Sequence, residues 1–372
     1  MIVLAGAALP AWAYLLLGHE RFWQSGPVLP RMTGGGPAVP VAAVVPARNE
    51  APTIRACLAS LLAQDYAGML RVILVDDGST DGTGAIARTL DDPRLVVLDG
   101  RPRPPGWSGK LWAIAQGLEA AGDAELVLLT DADIVHEPAH VATLAAWAEA
   151  RDLDMVSEMV ALHCESLAER ALVPAFVFFF QLLYPFARVN DPLSATAAAA
   201  GGTILIRRRA LDRIGGIAAV RDALIDDVAL ASAVKRGGRI WLGHGVLARS
   251  LREYPQPGDI WAMIARTAYV QLRRSPLLLA LTIAGLALVW LVPPVATLAG
   301  HGAARWAGLL AWAGAAGSYL PTLRRFRCSR LWAPFLPLIA LFYMAATIGS
   351  ALDHHCGRGI AWRGRVYQRA GV

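Results

Sequence analysis

Lysine is nearly missing from this 372-residue chain. Of its 35 basic residues only Lys110 and Lys235 are lysines; the rest are arginines. Cysteine is scarce too. The four cysteines (57, 164, 328, 356) are scattered, with no CxxC or Cys/His ligand spacing. That excludes a disulfide framework and a cysteine-based zinc site, and it agrees with a catalytic face in the cytoplasm. Charge is thin: 17% of residues are charged and 55% are hydrophobic. A soluble enzyme carries roughly a quarter charged residues, so the apolar excess is expected in membrane segments.

The charge that exists is unevenly placed. From Leu251 onward there are 13 arginines against three acids (Glu253, Asp259, Asp353), a net +10; with the whole chain at +6, residues 1–250 stand at −4. A sequence pI near 9.4 permits nucleic-acid binding. Here, however, the arginines flank apolar runs, the pattern that faces anionic lipid headgroups. A bilayer is therefore the expected partner, and nucleic acid is not.

Residues 1–18 read as an N-terminal transmembrane anchor and 19–40 as a linker ending in TGGGPAVP. The apolar start shows neither the positive beginning nor the cleavage site of a secretory signal in clear form. Arg21 and Arg31 follow the apolar run, which puts the next segment in the cytoplasm. Residues 168–187, apolar but interrupted by two prolines, favour a helix lying at the membrane interface over a buried core helix or a span. Residues 258–275 read as an interfacial amphipathic helix. Apolar runs at 277–299, 304–322 and 331–352 predict about three transmembrane helices within 276–352, the first and third near the ~20 residues a bilayer requires. The arginines at 324, 325, 327 and 330 belong in the cytoplasm. Four spans then leave the basic tail 353–372 outside, against the charge rule; either one run is re-entrant or the tail is an exception.

Between these parts, residues 41–257 alternate strand-length apolar runs with helical stretches. VAAVVPA (41–47), RVILVDD (71–77), RLVVLDG (94–100) and ELVLLTDAD (125–133) are the runs; 51–64 and 110–121 are amphipathic. This predicts an α/β fold, a Rossmann-like and mostly parallel sheet with helices on both faces. Ligands of such sheets bind beyond the carboxyl ends of the strands. Arg48-Asn49-Glu50, Asp76-Asp77 and Asp131-Ala132-Asp133 all fall at such ends.

Each acidic motif has a chemical and a plain reading. Asp131 and Asp133, two apart in a turn, can share a hard divalent cation that bridges phosphate oxygens; a solvated turn is the alternative. Asp76 and Asp77, followed by Gly-Ser-Thr-Asp-Gly-Thr, offer acceptors for a base N–H or ribose hydroxyls. Ser79 and Thr80 can instead cap the next helix. Asp226-Asp227 opens a helix that stops at Gly237-Gly238. The pair is either an N-cap on the helix dipole or the home of a general base. Lys110 is either a donor-side cation or a surface charge at a helix start.

In order, VVPARNE (44–50), VDDGSTDGT (75–83), GWSGKLWAIAQG (106–117), LLTDADIVHEP (128–138), GGTILIRRRALDRIGG (201–216) and IDDVALASAVKRGG (225–238) resemble family 2 glycosyltransferases of the GT-A fold, over about residues 40–275. GWSGK, the apolar C-terminal runs and AWRGRVY (361–367) look closest to the hopanoid-associated subgroup, near ceramide and carotenoid glycosyltransferases. The resemblance implies that Pro46, Arg48 and Glu50 line the nucleotide pocket. It puts Asp76 at the base, Asp77 near the ribose, and Lys110 near the donor. It gives Asp131 to ribose and metal, Asp133 to the metal (Mg²⁺ or Mn²⁺), and Asp227 the role of base beside Asp226. Gly202, Arg266 and Gln271 fall on the acceptor side. The QxxRW motif of processive relatives is absent: the stretch reads MIARTAYVQLRRSP (263–276).

The expectation is an inverting glycosyltransferase of the bacterial inner membrane. It would move a sugar from a nucleotide-sugar, UDP-linked, to a lipid hydroxyl in hopanoid or related lipid synthesis. The rivals are a polysaccharide synthase of the same family, a nucleotidyltransferase and a catalytically decayed scaffold.

Overall fold

The computed structural model describes residues 1–32, 38–356, 360–362 and 365–367. Part of the 19–40 linker, and Arg358, Arg363 and Arg369 of the basic tail, lie outside the described residues. The chain forms two compact units: a sheet unit of residues 27–163 and 188–252, and a helical unit of 1–26, 164–187 and 253 onward.

The sheet unit is built on eight strands: β1 (Val41–Ala47), β2 (Leu70–Asp76), β3 (Leu95–Asp99), β4 (Leu126–Thr130), β5 (Ile134–His136), β6 (Met155–Ala161), β7 (Thr203–Arg207) and β8 (Ile240–Ser250). Their order is β3-β2-β1-β4-β7-β6-β8-β5. β1, β2 and β4 are unbroken apolar runs buried almost end to end, as strands covered on both faces must be. β3, β2, β1 and β4 run parallel, as do β6 and β8. β7 runs antiparallel to β4 and β6, and β5 antiparallel to β8. The sheet is thus mixed where a mostly parallel one was expected. The reason lies at Gly201-Gly202: the chain reaches β7 from the carboxyl edge, with Thr203 opposite Thr130, so the strand can only run back.

The chain passes from β1 to β2 and β3 on one side, then crosses to β4 on the other. A crevice opens at such a switch point, outside the carboxyl ends of the strands. Pro46 contributes: β1 pairs with β4 only as far as Val44↔Leu129, while its pairing with β2 continues to Ala47↔Asp76. The residue without an N–H sits where one ladder has already ended.

The helix Gly109–Ala120 covers this sheet. Ser108 caps it by accepting the Leu111 N–H at 3.3 Å. Gly117 brings the helix onto β1 so closely that a Cβ there would lie 2.4 Å from Val44 Cγ1.

In the helical unit, Pro276–Ala299 and Arg330–His355 are long and apolar enough to cross a membrane. Among the described residues, two of the four expected helices meet that length and composition. The N-terminal run forms Ile2–Leu17, only 16 residues, and the middle run forms Gly302–Arg325, whose many Ala and Gly residues dilute its hydropathy. Residues 168–187 mostly belong to the helix Leu167–Leu183, which opens with a Ser166/Glu169 capping box and buries Leu172, Val173, Val177 and Phe178. Residues 258–275 make two short helices, Pro257–Ala265 and Ala268–Gln271. Pro293 has no N–H for the carbonyl of Val289 four residues earlier. The Trp12 indole N–H fills that place at 2.8 Å.

Replacing Gly117 with Ala is expected to destabilise the sheet unit by about 1–3 kcal/mol through overpacking against Val44. Thermal unfolding in detergent measures it. The double variant Gly117→Ala/Val44→Ala should lose less than the two single losses added together, because the new methyl then enters the space Val44 vacates. An unchanged melting temperature for Gly117→Ala would disprove the close approach.

Candidate active site

The strand ends assemble the site. Asn49 takes a left-handed conformation (φ 52°), which turns the chain out of β1. Its N–H donates to Ser79 Oγ at 2.9 Å, and its Oδ1 accepts the Thr80 N–H at 2.9 Å. The Glu50 N–H donates to Thr83 Oγ1 and the Ala51 N–H to Asp81 Oδ2, both at 2.9 Å. Arg48 donates to the carbonyls of Asp77 and Gly78. The loops after β1 and β2 are thereby laced into one wall. The alternative in which Ser79 and Thr80 cap the next helix does not hold. Its N-cap is Gly82, and Asp81 is the residue whose carboxylate accepts the Thr83 N–H, at 3.1 Å. Asp76 and Asp77 are both buried. Asp76 spends Oδ1 on the Ser79 N–H at 2.9 Å, which shapes the turn around Gly78 (φ 67°).

At the switch-point crevice, Pro46, Lys110, Thr130, Asp131, Gly201, Asp226 and Asp227 line one small cavity. Lys110 is its centre of charge. Its Nζ lies 2.9 Å from Asp131 Oδ1 and 3.2 Å from Asp226 Oδ2, with the lysine side chain only 23% exposed. The reading as a surface charge at a helix start is thereby set aside. A cation at a helix N-terminus opposes the macrodipole, so these carboxylates are what hold it there. Burial alone would pull the Lys110 pKa down; Asp131, Asp226 and Asp227 together raise it above its ordinary value.

Asp226 and Asp227 occupy the first turn of the helix Asp226–Lys235, whose N-cap is Ile225. The plain reading of the pair as an N-cap therefore fails. Asp227 Oδ1 accepts its neighbour's N–H from Val228 at 2.8 Å, and Oδ2 accepts the Gly201 N–H at 3.0 Å. Burial, and then repulsion from Asp226, push its carboxyl up to about 7, against the opposing pull of Lys110 and the two N–H donors. A carboxyl at that level is half-ionised near neutrality, as a general base requires.

Asp133 is held differently. It accepts from Ser250 Oγ at 2.6 Å and, more weakly, from Arg252 Nε at 3.4 Å. Arg252 also donates to Glu50 Oε1 at 2.8 Å, so one guanidinium ties the β1 loop to the Asp131–Asp133 turn. β5 pairs with β8 through Ile134↔Ser250, which delivers both partners. Sequence reasoning missed Ser250 and Arg252; Arg252 entered only as one of the 13 arginines counted from Leu251 onward. The carboxyl of Asp131 is raised by burial and, despite Lys110, by repulsion from Asp133 and Asp226. Among the described residues no cluster of three or more His, Cys, Asp or Glu side chains could hold a metal alone. Asp131 and Asp133 fit a hard cation whose other ligands come from phosphate and water, as Mg²⁺ and Mn²⁺ sites commonly do. Gly202 sits at the same edge, its carbonyl accepting the Asp131 N–H at 3.3 Å. Arg266 and Gln271 belong to the helical unit: Arg266 is exposed at the end of Pro257–Ala265, and Gln271 donates to Tyr184 Oη at 2.5 Å.

Residues 42–215 match the family model for glycosyl transferase family 2. An N-acetylglucosaminyltransferase of Rhizobium leguminosarum bv. viciae is 39% identical over 115 residues, 29% of this chain and 25% of that protein. Another, from Sinorhizobium fredii, is 40% identical over 119 residues, 31% of this chain and 27% of that protein. The chain thus spans about a quarter of the length of these relatives. A mannosyltransferase from Pyrobaculum calidifontis, solved with GDP-Man and Mn²⁺, is alike in fold: TM-score 0.56, 21% identity, 94% of this chain and 99% of that one. The fold is therefore GT-A-like.

Replacing Arg252 with Met would remove the cation that bridges the carboxylates of Glu50 and Asp133. The expected loss of stability is about 2 kcal/mol, below the 3–5 of a fully buried pair, because part of the arginine is in solvent. Glu50→Gln in the same chain should restore part of it. Thermal unfolding of the single and double variants checks both; an unchanged midpoint for Arg252→Met would remove the tie between the two loops.

Proposed function

From the match of residues 42–215 to the family 2 glycosyltransferase model, we propose that the chain is an inverting enzyme that moves a sugar from a nucleotide-sugar to the hydroxyl of a membrane lipid. One observation carries this reading: Asp227, raised to about 7, shares a crevice with Lys110 and with the strand-end carboxylate Asp131. One carboxylate is poised to take a proton while others face a leaving diphosphate, a separation of duties set by environment.

In the proposed reaction Asp227 accepts the proton of the acceptor hydroxyl. The acceptor oxygen bonds to the anomeric carbon from the face opposite the diphosphate. The bond from that carbon to the diphosphate oxygen breaks, and the nucleoside diphosphate departs with the electron pair. Lys110 lies where it can meet that charge. A divalent cation, when held by Asp131 and Asp133, neutralises phosphate charge beyond what one lysine can. Asp226 keeps Lys110 in place. Two further supports are less direct. The Pyrobaculum enzyme's structure contains Mn²⁺, and the rhizobial relatives' name makes a UDP-N-acetylhexosamine the first donor to test. The lipid acceptor, a hopanoid or similar, is suggested by the two apolar helices in the same chain. The bacterial inner membrane, with the sheet unit on the cytoplasmic side, suits a donor made in the cytoplasm.

Asp227→Asn is expected to leave donor binding intact and to lower transfer at least a hundredfold, since a general base contributes about 10²–10⁴-fold. The base must be ionised, so wild-type kcat should level off above pH ~7 and fall about tenfold per pH unit below it. Lipid glycosylation in detergent, followed from pH 5 to 9 beside nucleotide titration, measures both. Near-normal turnover by Asp227→Asn would end this mechanism.

Asp131→Asn and Asp133→Asn are expected to abolish the tightening of UDP binding by Mn²⁺ that the wild-type protein should show. Calorimetric titration with and without Mn²⁺ reads it directly. Mn²⁺ dependence surviving in both variants would remove the cation from these residues.

A further inference from the structure

Behind β4 the sheet unit buries three ionisable side chains that the reaction above does not use. His136 and His140 face each other, Nδ1 to Nδ1, at 2.8 Å. His140 Nε2 lies 2.7 Å from Glu158 Oε1, with both side chains 0% exposed. The approach is bent, so it is charge attraction as much as a directed hydrogen bond. By hydrogen-bond geometry, neither Glu158 oxygen nor His140 Nε2 has a partner among the described residues. Gly245 leaves room for this carboxylate: a Cβ there would meet it at 2.5 Å. His136 Nε2 lies 3.1 Å from Thr130 Oγ1, and that hydroxyl is 3.0 Å from the carbonyl of Gly202.

The spacing His136-Glu137-Pro138-Ala139-His140 is that of a zinc-protease motif, but the geometry is not. Such a motif needs both imidazoles on one face of one helix. Here His136 ends β5 and His140 begins the helix His140–Ala150. Glu137 points away and pairs with Arg31 at 2.8 Å in solvent.

Donor and acceptor counting gives the row a direction. A carbonyl can only accept, so the single hydroxyl proton of Thr130 goes to Gly202. Thr130 must then accept from His136, which carries its proton on Nε2. Burial, and then the neighbouring His140, hold His136 well below the usual imidazole range, so its Nδ1 is bare and accepts from His140 Nδ1–H. His140 Nε2 then faces Glu158 Oε1 at 2.7 Å, so the row ends at a buried carboxylate.

We propose that Glu158, His140, His136 and Thr130 form a buried relay of positioning residues that fixes the Gly201–Gly202 backbone against the transfer site. The proposal rests on the glycosyltransferase reading given above. The backbone so held is the one that matters there. The Gly202 carbonyl also accepts from Asp131 N and Thr203 Oγ1, and the Gly201 N–H donates to Asp227. On the other side Ser157, the neighbour of Glu158, accepts the Ala200 N–H at 2.8 Å and donates to the Ala200 carbonyl at 3.2 Å. The relay thus acts on the Gly202–Thr203 peptide, just along the backbone from the Gly201 N–H that Asp227 accepts.

Two measurements on the full-length protein in detergent test this. In the first, Thr130→Val keeps the shape and removes the hydroxyl. It should lower kcat about tenfold, the order of one net hydrogen bond, with donor KM within about twofold. Thr130→Ser should restore kcat. A fold-wide defect would instead lower the melting temperature with kcat per folded molecule unchanged, and that result overturns the proposal. In the second, ¹⁵N-histidine spectra at pH 7, assigned with His136→Asn, should show His136 protonated on Nε2. They should also show one N–H shared between two Nδ1 atoms. His136 protonated on Nδ1 would overturn the relay. The spectra need no turnover. If the wild-type protein transfers no sugar from any nucleotide-sugar, the functional reading fails while the spectra still decide the relay.

Discussion

Like charges gathered in a crevice repel one another, and the site depends on how that repulsion is offset. Lys110 stands between Asp131 and Asp226 and within the field of Asp227. Arg252 does the same for Glu50 and Asp133. Lys110 does not neutralise its surroundings completely: burial first, and then the neighbouring carboxylates, keep Asp227 and Asp131 raised. Negative charge thus stays concentrated in the crevice around a single lysine. In a chain with two lysines, spending one at a helix N-terminus, against the dipole, is intelligible only through this arrangement.

The sheet supplies the geometry that the charges need. The reversal of strand order between β1 and β4 makes the crevice, and the early end of their pairing widens it at Pro46. β7 then returns from the same edge, so Gly201 arrives beside Lys110 and Asp227. A Cβ on Gly201 would lie 3.3 Å from Asp227 Oδ2 and 3.4 Å from Lys110 Nζ. A glycine there lets a backbone N–H, and not a side chain, be the partner of Asp227.

Much of this was legible because the motifs are local. Acids at the ends of apolar runs follow from strand length and alternation, and the runs at 41–47, 71–77, 94–100 and 125–133 correspond to β1–β4 within a few residues. Long-range pairing left weaker marks. The reversed direction of β7 is set by where the preceding segment emerges, which no periodicity encodes. Ser250 and Arg252 reach Asp133 only through the β5–β8 pairing, across more than a hundred residues. The Asp226–Asp227 pair read equally well as cap or catalytic residues, because both uses put acids at a helix start. Only the position of Ile225 as N-cap and the bond from Gly201 separate them.

The sheet unit is not one continuous stretch: residues 164–187 leave it and the chain comes back at 188. This has a consequence for synthesis. Asp133 is made 117 residues before Ser250 and 119 before Arg252. At roughly 5–20 residues per second, the nascent chain carries it for about 6–24 s before either partner exists. During that interval the apolar helix Leu167–Leu183 has already emerged, while β8 has not. A ribosome pausing between codons 187 and 252 would hold a sheet that still lacks β8 and the side chains that tether its acidic turn, so the last strand to be made is also the one that secures that turn.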